Sequence, residues 1–268
     1  MVRINRIKAD PNRSQFNDPE SLYFRSIPES SKRREAHTMR NISYPIRETP
    51  LGVLKIGNSS HDTFSPRGLF ITFEGVEGAG KTTQIALLRA ALEKDGRAVC
   101  VTREPGGDKI AEGIRSLLLH SEMTPRAELL LFLAARAQNV ESVIRPHLKG
   151  GGIVLCDRFI DSSVAYQGVA RGLGRDETAI LNEFAVGGVI PDLTFLLDLL
   201  PETGLARQSE KNRMEAEAIE FHRLVREGYL SEAARFSSRF CVLDANSDII
   251  ELHRKIYEKV STFEVSKE

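Results

Sequence analysis

From residue 68 onward, short apolar runs alternate along the chain with longer amphipathic stretches. The apolar runs predict five strands: LFITFEG (69–75), AVCVTRE (98–104), GIVLCDR (152–158), DLTFLLDL (192–199) and RFCVLDA (239–245). The amphipathic stretches predict helices near residues 81–95, 108–120, 125–149, 162–186, 202–235 and 248–262. This alternation is typical of an α/β fold, in which a five-stranded parallel sheet is covered by helices on both faces.

Residues 1–67 differ from the rest of the chain. They show no sustained helical or strand period, and Pro, Ser, Asn and Arg interrupt them repeatedly. They carry a net charge of +5, whereas residues 68–268 carry −5. Because such a segment buries too little apolar surface to offset its chain entropy, we expect a disordered extension over 1–67 and a folded domain over 68–268. Two alternatives remain for this extension. It is an organelle-targeting segment, or it is an over-long translated start with Met39 as the true beginning.

Composition narrows the possible functions. The 268 residues include 37 basic and 37 acidic side chains, a balance that argues against a nucleic-acid-binding protein. Because no apolar run is long enough to cross a bilayer, we also expect no membrane partner. The three cysteines, Cys100, Cys156 and Cys241, are widely spaced within apolar runs. That pattern is typical of reduced, buried thiols in a cytoplasmic protein.

The strongest chemical signal is GVEGAGKTT, which follows the first predicted strand of the domain and opens a helix. It matches the phosphate-loop pattern GxxxxGK[ST], whose glycines let backbone N–H groups turn toward a polyphosphate at a helix N-terminus. Lys81 is expected to contact the β- and γ-phosphates, and the Thr82 hydroxyl is expected to bind Mg²⁺. The predicted nucleotide-binding residues are Gly75, Glu77, Gly78, Ala79, Gly80, Lys81, Thr82 and Thr83.

A phosphate loop alone leaves several classes of protein open, including GTPases, ATPases, motors and kinases. The chain has no NKxD-type guanine motif, which disfavours a GTPase. It also lacks the HRD and DFG motifs of protein kinases. The choice among the remaining classes therefore depends on other parts of the sequence.

Two further motifs fall at the carboxyl ends of predicted strands, where open α/β sheets bind their ligands. Asp157 and Arg158 end the third strand of the domain, and Arg103 lies in TREPGG at the end of the second. An acidic residue there can hold Mg²⁺ through water, and an arginine can bind a phosphate through two hydrogen bonds. A salt bridge at the strand end is the alternative for Asp157 and Arg158, and a capped turn is the alternative for TREPGG.

Five segments in this order resemble the thymidylate kinase family of bacterial type: FEGVEGAGKTTQ, VTREPGG, LLLFLAARAQ, DRFIDSSVAYQG and PDLTFLLDLLPETGLAR. The resemblance covers about residues 68–262. It implies a fold like that of nucleoside monophosphate kinases and the phosphorylation of dTMP to dTDP, with ATP and Mg²⁺. It also implies a homodimer. A kinase for another nucleotide or nucleoside, and a nucleotide-binding protein with weak turnover, are the alternatives.

The resemblance implies roles around the acceptor base. Phe132 and Arg136 match the family's F-x-x-x-R helix motif, in which the phenyl ring stacks on thymine and the guanidinium hydrogen-bonds the base edge. From its apolar surroundings alone, Phe132 would instead be a core residue. Ser163 and Gln167 are expected near the base, and Tyr166 is expected to exclude a 2′-hydroxyl.

The resemblance also implies roles around the acceptor phosphate and the metal. Arg103 and Arg158 are expected to hold the dTMP phosphate. Glu77 is expected to face the acceptor sugar and phosphate. Asp157 is expected to organise Mg²⁺, and Glu74 is a weaker candidate for the metal shell.

The sequence departs from its relatives at the lid, the connector expected to close over the donor. The phosphate loop contains no arginine, so the resemblance implies that the lid supplies one. The lid here is short, and it reads Asn212-Arg213-Met214-Glu215 where D-R-x-E is usual. Arg213 is therefore the predicted catalytic arginine, with Arg207 and Lys211 as weaker candidates. The alternative is that Arg213 only pairs with Glu217 on one helix face.

Overall fold

The computed structural model describes residues 46–48, 54–56, 68–207 and 212–265. Its contacts divide the chain into two units, Met1–Ser60 and His61–Glu268. The described part of the first unit is an antiparallel pair of short strands, β1 (Ile46–Glu48) and β2 (Leu54–Ile56). The sequence analysis did not predict this pair. The remainder of residues 1–67 lies outside the described residues, so the boundary at residue 67 stays a prediction.

In the described part of the second unit, five strands form one parallel sheet. They are β3 (Leu69–Glu74), β4 (Val99–Arg103), β5 (Ile153–Asp157), β6 (Leu193–Asp198) and β7 (Phe240–Asp244), in the order β4-β5-β3-β6-β7. All five predicted strands and the parallel α/β fold are confirmed. Because all strands point the same way, the phosphate loop after β3 lies at the same sheet edge as the ends of β4 and β5.

The sheet is buried on both sides. Along the central strand β3, Leu69, Ile71 and Phe73 pack into one hydrophobic cluster, whereas Phe70 packs into a second cluster. This division follows from the two-residue period of a strand. The continuous apolar run that predicted the strand therefore reflects a sheet covered by helices on both faces.

The helices agree with the sequence prediction in number of regions but not in continuity. They are α1 (Lys81–Lys94), α2 (Lys109–His120), α3 (Pro125–Asn139), α4 (Arg145–Lys149), α5 (Ile160–Ser163), α6 (Arg175–Val186), α7 (Pro201–Ala206), α8 (Ile219–Arg235) and α9 (Ile249–Val265). Two π-helical turns, Val140–Ile144 and Val164–Ala170, continue α3 and α5. Such turns are often found at functional sites.

Two predicted helices are interrupted, so those predictions were wrong in their continuity. The stretch 162–186 is broken by a turn in which Gly172 and Gly174 have positive φ angles of 69° and 95°. The stretch 202–235 divides into α7 and α8, with the lid region between them. α2 begins where predicted because the Asp108 side chain accepts a hydrogen bond from Ala111 N at 2.8 Å, which caps the helix.

Candidate active site

The phosphate loop connects β3 to α1. Gly75, Gly78 and Gly80 have φ angles of 138°, 70° and 88°, a region that favours glycine. Lys81, the first residue of α1, donates to the carbonyl oxygens of Gly75 at 3.1 Å and Val76 at 2.9 Å. Burial lowers the pKa of Lys81 to about 8, and the nearby charge of Arg158 acts in the same direction. A bound polyphosphate would compensate this partly desolvated ammonium group.

Helix α7 lies directly against the phosphate loop. A Cβ atom at Gly78 would meet Gly204 O at 2.2 Å, and one at Gly204 would meet Glu77 O at 2.1 Å. Both positions therefore require glycine for a close approach of two backbones. Arg207, at the end of α7, donates to Gly78 O at 2.9 Å. This contact places a guanidinium group at the mouth of the loop.

Thr82 and Asp157 meet at the carboxyl edge of the sheet. Thr82 Oγ1 donates to Asp157 Oδ2 at 3.1 Å, which joins the start of α1 to the end of β5. The structure therefore brings together the two predicted Mg²⁺ ligands.

Arg158 and Glu77 form an ion pair, with Arg158 Nη2 at 3.0 Å from Glu77 Oε1. Tyr166 OH also donates to Glu77 Oε1, and His222 Nδ1 lies 3.5 Å from Glu77 Oε2. Burial acts to raise the pKa of Glu77, but Arg158, followed by His222, Lys81 and Tyr166, holds it well below its usual range. Glu77 is therefore a carboxylate at neutral pH.

A further buried carboxyl group lies behind Arg158. Glu74 accepts hydrogen bonds from Phe159 N at 2.8 Å and Ser162 Oγ at 2.6 Å. Burial, together with the charge of Asp161, raises the pKa of Glu74 to about 7. The structure does not add Glu74 to either cavity described below, so its proposed place in the metal shell stays a prediction.

Two cavities meet at this sheet edge. The first, the phosphate-loop cavity, has a volume of about 360 Å³ and is lined by Glu77, Gly78, Gly80, Lys81, Thr82, Thr83, Arg103, Glu104, Arg115, Asp157, Arg158, Arg207 and Glu215. The second, the adjoining cavity, has a volume of about 130 Å³ and is lined by Glu77, Glu104, Pro105, Arg115, Leu119, Phe132, Arg158, Ser162, Ser163, Tyr166, Gln167, Asn212, Met214 and Glu215. They share Glu77, Glu104, Arg115, Arg158 and Glu215. Two ligands could therefore meet where these cavities join.

The adjoining cavity places apolar side chains, among them Leu119, Phe132 and Met214, beside charged and polar groups, a mixture that suits a ligand with both an apolar and an ionic part. Phe132 is half-buried and lines it, so its side chain is not enclosed in the core. Tyr166, Ser163 and Gln167 come from α5 and the π-helical turn after it. The predicted acceptor residues Phe132, Ser163, Tyr166 and Gln167 are thus brought together.

Arg136 is buried beside this cavity. It donates to Glu104 at 2.7 Å, to Ser163 at 2.9 Å and to Phe159 O at 2.9 Å, and a further bond reaches Asn182. These bonds use four of its five N–H groups. The predicted hydrogen bond from Arg136 to the base edge stays a prediction, and the structure shows that Arg136 also positions Ser163.

Arg103 and Arg115 both line the phosphate-loop cavity. Arg103 pairs with Glu112 at 2.9 Å, and Arg115 donates to Pro105 O at 2.9 Å. Sequence reasoning missed Arg115 because it lies within α2, outside any motif. Its place in the helix that directly follows TREPGG was the only sequence feature that pointed to this cavity.

Arg213, the predicted catalytic arginine, is bound outside the phosphate-loop cavity. Its side chain pairs with the buried Glu128 at 2.8 Å, and it is not among the residues lining either cavity. Nor does it pair with Glu217, which binds Arg171 at 2.6 Å. Lys211 lies outside the described residues. The catalytic role of Arg213 stays a prediction that its position does not favour, and Arg207 is the lid-side arginine that the structure brings to the phosphate loop.

A phosphate loop at the end of a parallel sheet, with an arginine-bridged second cavity beside it, defines a P-loop phosphotransferase of the nucleoside monophosphate kinase class. The comparisons with known proteins are more specific. The profile of the family described as thymidylate kinase matches residues 73–256. The chain belongs to the thymidylate kinase family, and the resemblance found in the sequence is confirmed.

Individual relatives support the same family assignment. The thymidylate kinase of Geobacillus sp. (strain WCH70) is 51% identical over 194 residues, which span 69% of this chain and 92% of the relative. That of Halothermothrix orenii is 50% identical over 202 residues, spanning 72% and 97%. The crystal structure of thymidylate kinase from Ehrlichia chaffeensis is 34% identical with a TM-score of 0.62, and the match covers 72% of this chain and 98% of that one.

Proposed function

We propose that this protein phosphorylates dTMP to dTDP with ATP as the phosphate donor. The observation that carries the proposal is the junction of the two cavities at Arg158 and Glu77. ATP would lie on the phosphate loop, with dTMP in the adjoining cavity and its phosphate at the shared wall. Holding two anionic groups in line is the main requirement of phosphoryl transfer, since little covalent help from the protein is needed.

On the donor side, Lys81 and the backbone N–H groups of residues 75–83 would bind the phosphates of ATP. The described residues hold no cluster of three or more His, Cys, Asp or Glu side chains that could form an all-protein metal cage. Mg²⁺ is usually held by one or two protein oxygens together with substrate phosphates, so the Thr82 and Asp157 pair fits this ion. When bound, the ion would neutralise charge on the transferring phosphate.

On the acceptor side, Arg158 and Arg103 would hold the dTMP phosphate, and Phe132 would stack on thymine. Tyr166 would lie against the deoxyribose, where a 2′-hydroxyl would not fit. In the reaction, an anionic phosphate oxygen of dTMP forms a bond to the γ-phosphorus as the bond to the β,γ-bridging oxygen breaks. Because the attacking oxygen is already anionic, no general base is required.

The lid-side charge would come from Arg207. Its bond to Gly78 O would bring it beside the donor phosphates, and it directly follows α7, whose backbone packs against the phosphate loop. Closure of the lid would exclude water and limit hydrolysis of ATP.

We also propose that the protein acts as a homodimer in the cytoplasm. Helix α3 packs against α2 and α6, and these three helices expose Leu117, Leu130 and Phe184, the last of them to 76%. Exposed apolar side chains on packed neighbouring helices support burial of this face in a symmetric interface. The three free cysteines support a reducing compartment. No described helix is both long and apolar enough to cross a bilayer.

The proposal is tested by incubating the purified protein with Mg²⁺, dTMP and ATP labelled at its γ-phosphate. Labelled dTDP should form in equal amount to ADP. The matched control omits dTMP, and it should give little ADP. Formation of ADP alone, or binding of both nucleotides without any ADP, would contradict the proposed transfer.

A further inference from the structure

The segment Asn212–Glu215 forms part of the wall of the adjoining cavity. Asn212, Met214 and Glu215 all line that cavity. The segment is folded on itself, since Asn212 Oδ1 accepts from Met214 N at 2.9 Å and Glu215 Oε2 accepts from Asn212 N at 3.0 Å. These bonds shape the segment, but they do not attach it to the rest of the protein.

Arg213 attaches the segment to α2, and Met214 attaches it separately by packing in the main hydrophobic cluster. Its Nε atom donates to Leu118 O at 3.0 Å, and its backbone N–H points to Leu119 O at 3.5 Å. Both carbonyls belong to the last turn of α2, where carbonyl groups lack partners within the helix. A cation at this position also interacts favourably with the helix dipole. Because Leu119 itself lines the adjoining cavity, Arg213 joins two parts of the same wall.

Arg213 also reaches a third part of the wall through Glu128. The buried carboxylate of Glu128 accepts from Arg213 Nη1 at 2.8 Å and from Gln167 Nε2 at 2.9 Å. Gln167 lines the adjoining cavity. Arg171 also donates to Glu128, at 3.2 Å, so the carboxylate keeps one cationic partner if Arg213 is removed. A variant at Arg213 is therefore expected to fold.

We infer that Arg213 is a positioning residue for the acceptor site, and that it does not contact the transferring phosphate. It fixes the segment Asn212–Glu215 and the side chain of Gln167 around the acceptor, so its loss weakens acceptor binding. This inference rests on the proposed function for the identity of the acceptor. The opposite role, that of a lid arginine, predicts a loss of turnover with acceptor affinity unchanged.

The test measures the dissociation constant of dTMP by calorimetry in the absence of ATP, and then KM and kcat with ATP. The Arg213→Ala variant is compared with the wild type and with Arg254→Ala, which removes an exposed ion pair on α9. Arg213→Ala should weaken dTMP binding about 10-fold, because the cavity wall then keeps its binding arrangement in only a fraction of the molecules and the affinity falls by that fraction. Its kcat at saturating dTMP should stay within about threefold, and its KM for ATP should not change.

Arg213→Lys is the second variant. Lysine keeps the positive charge beside Glu128, but its ammonium group cannot bond both Leu118 O and Glu128 with the geometry of a guanidinium. Arg213→Lys should therefore lose dTMP affinity, though less than Arg213→Ala, at an unchanged kcat. If Arg213→Ala fails to fold, this variant decides the question. Loss of kcat by 100-fold with unchanged dTMP affinity, or no effect of either variant, would overturn the inference. A wild-type protein that does not bind dTMP would instead refute the proposed function, and the inference would fail with it.

Discussion

Arg158 Nη2 lies 3.0 Å from Glu77 Oε1 at the junction of the two cavities. Arg158 has a φ angle of 68°, an unusual conformation for a residue with a side chain. Backbone strain of this kind persists where surrounding contacts enforce it, and Arg158 also bonds Gly75 O and Tyr229 OH. The phosphate loop and β5 are thereby joined through one guanidinium group that lines both cavities.

Replacing Lys81 should mainly affect turnover. Lys81→Ala removes the ammonium group from the phosphate loop, and kcat should fall about 10²–10³-fold, as for other preorganised electrostatic contacts. Steady-state kinetics with Lys94→Ala, an exposed lysine at the end of the same helix, provide the control. Normal turnover by Lys81→Ala would mean that the donor does not bind at this loop.

Phe132 should determine affinity for the base. Phe132→Ala should raise the KM for dTMP and leave the KM for ATP nearly unchanged, because aromatic contacts contribute on the order of 1 kcal/mol beyond buried area. Phe236→Ala, at the end of α8, is a matched control outside both cavities. An equal rise in both KM values, or unfolding of Phe132→Ala, would show that Phe132 is a core residue.

Arg207 should supply the positive charge that the lid region brings to the donor phosphates. Arg207→Ala should lower kcat about 10²-fold or more, since arginines that contact the transferring phosphate contribute strongly to the rate. The KM for dTMP should change little. Arg254→Ala is again the control. If kcat survives the loss of Arg207, the donor charge must come from Lys81, Arg158 and the metal ion.

Glu74 should make stability depend on pH. Its carboxyl has a raised pKa of about 7 in the folded protein against 4.5 for an ordinary glutamate. Between these values the folded state binds more protons than the unfolded state, so the stability contributed below pH 4.5 is lost as pH rises to about 7. The neutral variant Glu74→Gln has no such pH dependence. As the pH rises from below 4.5 to above 7, its free energy of unfolding should therefore gain on the order of 3 kcal/mol relative to that of the wild type.

The measurement is urea unfolding of both proteins at several pH values. The variant can still accept from Phe159 N and can donate toward Ser162, so its fold should be retained. Parallel stability profiles for wild type and variant across this range would show that Glu74 titrates normally.

Local sequence patterns predicted the sheet and the phosphate loop because both depend on neighbouring residues. The period of β3 and the spacing from Gly75 to Thr82 are properties of short segments. The break at Gly172 and Gly174 was also visible as two glycines, although the amphipathic pattern around it favoured one long helix.

The role of Arg213 could not be predicted in this way. Its partner Glu128 lies on α3, and its other contacts lie at the end of α2. Nothing in the local sequence distinguishes an arginine that closes over the donor from one that holds the acceptor wall. Only the packing of α2, α3 and the π-helical turn Val164–Ala170 places Glu128 beside both Arg213 and Gln167.

At the junction of the two cavities we expect the transfer of phosphate from ATP to dTMP. The most direct test is the kcat/KM of the wild-type protein with dTMP, dUMP, CMP and thymidine, at saturating ATP and Mg²⁺. We expect the highest value for dTMP. dUMP should be lower by about 10-fold or more, since a missing methyl group in an apolar pocket typically costs 10–200-fold, and CMP and thymidine should be much poorer. A higher value for CMP or thymidine, or nucleotide binding without ADP release, would contradict the account.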